Sequence, residues 1–349
     1  MRVVRAYLSR ATLAVSLRGD DLRERVTTGT RPMITRRQWC GMTLGAGALA
    51  LLPDLAAALA ADELIRRAIP STGEKVPVIG LGTAATFSAV ARREDFDAVR
   101  AIMKAMVDHG ATIFDTAPGY GASEQVGGTV AKELGITDKI FWATKVNVAR
   151  GFGGGGHADP VAARAQIEQS FRRFQVSKID LIQVHNLGDV PTQLAILEEL
   201  KQQGRIRYLG VTTTSERQYD QLLSIMRNEP LDFIGVDYAI DNRTVETTVL
   251  PLAQERKIGV LAYLPFGRAR LFQRVQGKAL PAWADEIDAK TWAQFFLKYV
   301  VSHPAITAAT PGTSQAAHMV DNIGGGVGRL PDAAMRKRMV EFIDALPPS

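Results

Sequence analysis

The chain of 349 residues has a single cysteine, Cys40. A disulfide framework needs pairs and a Cys-ligated zinc site needs several, so both are excluded. No thiol follows residue 40, which removes a cysteine nucleophile from that part and leaves nothing for an oxidising compartment to cross-link. Histidine is scarce as well: the five, His109, His157, His185, His303 and His318, form no H-x-H pair, so no metal is expected. Long apolar runs are missing. The longest weakly apolar stretch, from Met42 to Leu52, falls well short of the ~20 residues a bilayer demands. Excess charge of one sign is confined to one end: residues 1–60 hold nine Lys and Arg against four Asp and Glu, and the rest holds 33 against 32. That balance removes the charge argument for nucleic acid or an anionic membrane surface as partner of the remaining chain, so neither is expected.

The basic end has its own pattern. Thr35, Arg36, Arg37, Gln38 and Trp39 precede the Met42 to Leu52 stretch, and small residues stand at Ala58 and Ala60. A paired Arg, a short weakly apolar core and an A-x-A site resemble a twin-arginine signal peptide. The resemblance implies cleavage near Ala60, the export machinery as a partner and a periplasmic destination. Met33 lies just before the paired Arg, so residues 1–32 are expected to be an over-long start. Residues 61–349 are expected to be the folded domain.

What is present from residue 61 onward is ordinary globular material, in a chain 46% hydrophobic and 22% charged with 31 Gly and 16 Pro. Short β-branched runs alternate with amphipathic segments of helical period. The strand candidates are 78–83, 112–117, 140–146, 179–185, 206–212, 232–239, 258–264 and 306–310. Helix candidates between and after them are 93–109, 123–134, 160–174, 192–203, 216–226, 247–256, 288–301 and 332–346. Asp159 before Pro160 reads as a helix start, and Gly110, Gly135 and Gly204 read as stops. Eight strand-then-helix units in ~250 residues predict an α/β fold, a (β/α)8 TIM barrel, rather than an open sheet of five or six strands. Segments 65–69 and 75–76 around Ser71, Thr72 and Gly73 predict a hairpin closing the barrel bottom.

In such barrels chemistry collects at the C-terminal ends of strands. Strand two ends in Phe114-Asp115-Thr116-Ala117-Pro118-Gly119-Tyr120-Gly121, strand three in Ala143-Thr144-Lys145-Val146 and strand four in Gln183-Val184-His185-Asn186. Asp115, Tyr120, Lys145 and His185 resemble the Asp, Tyr, Lys and His tetrad of the aldo/keto reductases, oxidoreductases that use NADPH or NADH. Neighbouring words match as well: Gly80-Leu81-Gly82-Thr83, Ala262-Tyr263 before Pro265-Phe266-Gly267, and Pro311-Gly312-Thr313 leading to Asn322. The similarity runs from about Ile65 to Gly326.

The resemblance implies reduction of an aldehyde or ketone to an alcohol, or the reverse. Tyr120 would serve as general acid or base. A phenol with an ordinary pKa near ~10 relays protons poorly at neutral pH unless a cation stabilises its anion. Lys145 would do so, held by Asp115, while His185 would orient the carbonyl oxygen. Thr83, Asp115, Thr212, Thr213, Tyr263, Leu264, Pro265, Phe266, Gly267, Gly312, Thr313, His318, Asp321 and Asn322 are the implied cofactor contacts, with the nicotinamide stacked on Tyr263. NADP leads and NAD stays open, because Gly312 and His318 stand where many members carry Lys and Arg for the 2′-phosphate. Thr212-Thr213 and Gly235 likewise replace the family's Ser-Asn pair and Gln at the carboxamide. A barrel that binds nucleotide without turnover, as a sensor or interaction protein, is the alternative. Loops 86–93, 149–159 and 268–283 are expected to line the pocket. Gly151 to Gly156 matches G-x-G-x-x-G, but Asp180 opens the next strand and His185 ends it, so a mobile mouth loop is expected there instead. Residues 322–328 are expected to be a linker into the last helix.

Overall fold

The computed structural model describes residues 63–93, 95–149 and 156–347. The signal-like segment, the over-long start and Gly151 to Gly155 lie outside the described residues. Two short strands, β1 (Arg66–Ala68) and β2 (Lys75–Pro77), pair antiparallel. Eight further strands form one sheet in chain order: β3 (Leu81–Gly82), β4 (Ile113–Asp115), β5 (Phe141–Val146), β6 (Ile179–His185), β7 (Ile206–Thr213), β8 (Phe233–Asp237), β9 (Gly259–Tyr263) and β10 (Ala308–Ala309). Every neighbouring pair in it is parallel. The sheet curls until its edges meet: Ile79 bridges Ala309 and Gly82 bridges Gly312, both parallel. Gly82 permits this contact, because a Cβ there would stand 2.3 Å from the Thr310 carbonyl oxygen.

Helices supply the outer layer. They are α1 (Thr86–Arg92), α2 (Phe96–Asp108), α3 (Ser123–Glu133), α4 (Pro160–Phe174), α5 (Val190–Gln202), α6 (Tyr219–Asn228), α7 (Val249–Glu255), α8 (Arg270–Arg274), α9 (Trp292–Ser302), α10 (Ala316–Gly324) and α11 (Ala333–Asp344). Local chemistry sets their ends. Asp159 caps α4 by accepting from the Val161 amide at 3.0 Å, with Pro160 in the first turn. Gly110, Gly135 and Gly204, the expected stops, have φ of 83°, 64° and 70°, the left-handed geometry that ends a helix.

Several expectations need correction. Segment 86–93 was expected as a pocket loop, yet Thr86–Arg92 is helical, because Phe87 and Ala91, four residues apart, are both buried. The helix expected from residue 93 starts at Phe96, since the Asp95 carboxylate caps it by accepting from Ala98. The expected linker at 322–328 begins inside α10, where Met319, Asn322 and Ile323 form one buried face. The expected loop 268–283 contains the short α8. Strands one and eight shrink to two residues each within the expected 78–83 and 306–310, with bridges extending their pairing.

The strand period of two sorts the core into two shells. Phe114, Trp142, Ile182, Leu209, Ile234 and Val260 face the helices. Their neighbours Ile113, Phe141, Leu181, Tyr208, Phe233 and Leu261 face inward and share a second cluster with Ile69 and Val76 of the hairpin. The barrel interior is therefore packed, and the next inward positions along each strand reach its C-terminal mouth.

Candidate active site

Stepping two residues along the inward face places Asp115 after Ile113, Lys145 after Ala143, and Gln183 then His185 after Leu181. The same count brings Gly235 and Asp237 after Phe233, and Tyr263 after Leu261. Register aligns them: Lys145 lies beside Gln183, His185 beside Thr212, Thr212 beside Gly235 and Asp237 beside Tyr263. Asp115, Lys145, His185 and Tyr263 all border one cavity of about 770 Å³, which Tyr120 also lines from the loop after β4.

Lys145 and Asp115 form a buried ion pair. The ammonium donates to Asp115 Oδ1 at 3.0 Å, to Oδ2 at 2.9 Å and to the Thr116 carbonyl at 2.7 Å. Its side chain is 1% exposed and its partner's 5%. Burial pushes the Asp115 carboxyl above the ordinary carboxylate range, and the Lys145 charge pulls it back. The ammonium also lies 5.4 Å from the Tyr120 ring centroid and 5.1 Å from that of Tyr263, near enough for a cation to act on either ring. Tyr120 and His185 meet edge to face, with centroids 5.9 Å apart. Burial, with the nearby Lys145 charge, lowers the His185 pKa to about 3, so its imidazole is neutral at any ordinary pH.

The backbone around the mouth is strained. Asn186, Leu187 and Asp189 after β6, Leu264, Arg268 and Ala269 after β9, and Ala85 after β3 all have positive φ without being glycine. Such outliers cost of order 1–3 kcal/mol each and cluster where a site imposes geometry. Asn147 braces the turn just before Asn186 by donating to the His185 carbonyl at 2.7 Å.

The expected cofactor contacts divide. Thr83, Asp115, Thr212, Tyr263, Leu264, Pro265, Phe266 and Gly312 line the cavity. The Thr213 hydroxyl instead donates to Gln218 at 2.7 Å, away from the cavity lining. Gly267 and Thr313 adjoin lining residues, and the Thr313 hydroxyl donates to the Gln315 carbonyl at 3.2 Å. Asp321 accepts from Thr291 at 2.9 Å and from Gln294 at 2.8 Å, the buried Asn322 follows it, and His318 is exposed on α10. The structure adds Asn186, Thr214 and Thr310 to the lining, and the expected segments 86–93 and 268–283 supply Thr86, Ser88, Arg92, Arg268 and Phe272. Loop positions such as Asn186 and Thr214 carry no period that reveals them. The Tyr263 ring turns inward: its hydroxyl donates to Gln183 at 2.9 Å and, more weakly, to Asp115 at 3.3 Å.

An aromatic and backbone-lined groove at the mouth of the sheet thus ends on a buried Lys–Asp pair. A model of the aldo/keto reductase family matches residues 78–338, and the chain belongs to that family. It is 33% identical over 207 residues to the aldo-keto reductase YhdN of Bacillus subtilis (strain 168), covering 56% of this chain and 60% of that protein, less than two thirds of its length. Over 285 residues it is 26% identical to a probable aldo-keto reductase 1 of Glycine max, covering 70% of this chain and 78% of the relative. Among solved structures, an aldo/keto reductase from Klebsiella pneumoniae in complex with NADP and acetate matches at 26% identity and TM-score 0.62, over 79% of this chain and 94% of that one. A second from the same organism, in complex with NADPH, matches at 25% and 0.64, over 82% and 96%.

Proposed function

We propose that the chain is an NADPH-dependent reductase of aldehydes or ketones, with Tyr120 as proton donor. The carrying observation is the buried Lys145–Asp115 pair whose ammonium lies 5.4 Å from the Tyr120 ring, on the wall of a cavity that His185 shares. The cavity fits a nicotinamide dinucleotide. It has Gly312 as a wall without a side chain, and the buried Thr310 hydroxyl has no partner among the described residues. Leu264 to Phe266 would lie beside the pyrophosphate, Arg268 at the rim would offset its charge, and Thr212 would meet the carboxamide.

When bound, the cofactor supplies the hydride. The remaining work belongs to the side chains. Tyr120 gives its proton to the carbonyl oxygen, and the Lys145 charge stabilises the phenolate left behind. Asp115 keeps that ammonium in place, and neutral His185 donates a hydrogen bond to the substrate oxygen. Closed packing below the site excludes water, with the β1–β2 hairpin as floor through Ile69 and Val76. Reduced-nicotinamide absorbance, followed with an aldehyde panel for the wild type and Tyr120→Phe, tests the reading. Turnover that survives loss of the hydroxyl would refute it.

The turned-away Thr213 hydroxyl and Gly235 favour a second reading, a barrel that holds nucleotide without turnover. Retained nucleotide in purified protein that is inert toward every aldehyde would select it. Under either reading, residues 33–60 serve as a twin-arginine export signal preceded by an over-long start, supported by Arg36 and Arg37 before the Met42 to Leu52 stretch. Fusion of that segment to a reporter, with Arg36 and Arg37 replaced by Lys, tests export to the periplasm.

A further inference from the structure

Asp115 Oδ1 receives two donors at once, the Lys145 ammonium at 3.0 Å and the Tyr263 hydroxyl at 3.3 Å. That crossing exists because β8 carries Gly235. A Cβ there would stand 2.3 Å from Tyr263 Cε2 and 2.6 Å from its hydroxyl oxygen, so only glycine leaves the slot the ring fills. The hydroxyl has one proton and a second claimant, Gln183 Oε1 at 2.9 Å. Meanwhile all three Lys145 protons are engaged, two on Asp115 and one on the Thr116 carbonyl, so none is directed at Tyr120.

We propose that the Tyr263 hydroxyl is a positioning group of the proton relay, which competes with Lys145 for Asp115 Oδ1 and so releases an ammonium proton toward Tyr120. As Tyr120 passes its proton to the carbonyl oxygen, the Lys145 bond to Oδ1 breaks and a bond from Lys145 to the new phenolate forms. The Tyr263 proton stays on Tyr263 and satisfies the vacated carboxylate oxygen. A buried carboxylate oxygen without a second donor would hold the ammonium harder, because two donors on one oxygen share its charge. Gln183 sets the balance by drawing the same proton away. The inference rests on Tyr120 as the proton donor, the reading given above. The ionisable groups around the hydroxyl are Asp115 on β4, Tyr120 after it and Lys145 on β5, with His185 of β6 on the same cavity wall.

Two variants push the relay in opposite directions. Tyr263→Phe keeps the ring in its slot and removes the competitor, and Gln183→Met gives Asp115 sole claim on the hydroxyl. With NADPH, Tyr263→Phe should lower kcat about tenfold, the worth of one such bond, with little change in the carbonyl KM. Its pH profile should move to higher pH. In cofactor-free protein with 13Cζ-labelled tyrosine, the Tyr120 resonance, identified by its loss in Tyr120→Phe, should titrate at higher pH in Tyr263→Phe and at lower pH in Gln183→Met. Shifts of the same sign in both, or in neither, overturn the proposal. Should Tyr263→Phe fail to fold, the sign of the Gln183→Met shift decides alone. If the wild type reduces no carbonyl with NADPH or NADH, the reductase reading fails, and the resonances still decide what the hydroxyl does.

Discussion

Gly235→Ala is the smallest change that probes how the site is packed. The added Cβ would meet Tyr263 Cε2 at 2.3 Å, and Cζ and the hydroxyl oxygen at 2.6 Å, where carbon contacts settle at about 3.5–4.0 Å. The ring must therefore withdraw by more than an ångström, or β8 and β9 must part. Gly235 has no positive φ, so backbone strain plays no role and the alanine itself should gain about 0.5–1 kcal/mol in a strand. Against that gain stand overpacking, about 1–3 kcal/mol, and loss of the Tyr263 bonds to Gln183 and Asp115, about 1 kcal/mol each. The net expectation is a loss of about 2–4 kcal/mol. Urea unfolding measures it as a lower midpoint at unchanged slope. A midpoint equal to the wild type, with Tyr263 still seated against Asp115, would refute the claim that Gly235 exists to admit this ring.

Other expectations follow from the same geometry. Lys145→Met removes the charge beside Tyr120 and should lower kcat by roughly 10²–10⁴ in steady-state reduction, while the fold, read by circular dichroism, persists. Asp237 has its pKa raised to about 6, by burial against the opposing pull of Arg270. Its native form therefore holds a proton more tightly than the unfolded chain does, and its contribution to stability falls as pH rises from about 4 to 6. Asp237→Asn should be about 1–2 kcal/mol more stable than the wild type at pH 8, after allowance for solvent screening, and not at pH 4, in paired denaturant titrations. His185, lowered to about 3, behaves conversely: the native state resists its protonation, so stability is lost as pH falls from about 6.5 toward 3. His185→Gln should flatten that part of the stability profile.

Much of this was legible beforehand, for identifiable reasons. Strand-versus-helix alternation is written in side-chain periodicity, which is local, so all eight barrel strands were placed in order. Asp115, Tyr120, Lys145 and His185 were found because they stand at or just after strand ends in words that resemble the family's tetrad. Helix α1 was missed because its turns are short and its start, after the strained Ala85, has no capping side chain. Arg92 and Phe272 lie in segments expected at the pocket, whereas Thr214 was missed because it reaches the cavity from a loop.

The chain's own residue order determined the alternating elements, the inward parity of the strand ends and the identity of the four polar side chains, because each depends on neighbours a few positions away. Only folding decided which groups share an oxygen atom. Whether Tyr263 turns inward depends on the missing side chain of Gly235, and whether Thr213 faces the cavity depends on Gln218 five residues on. Such outcomes rest on distances between strands and loops that curl around one axis, and no periodicity along a chain encodes them.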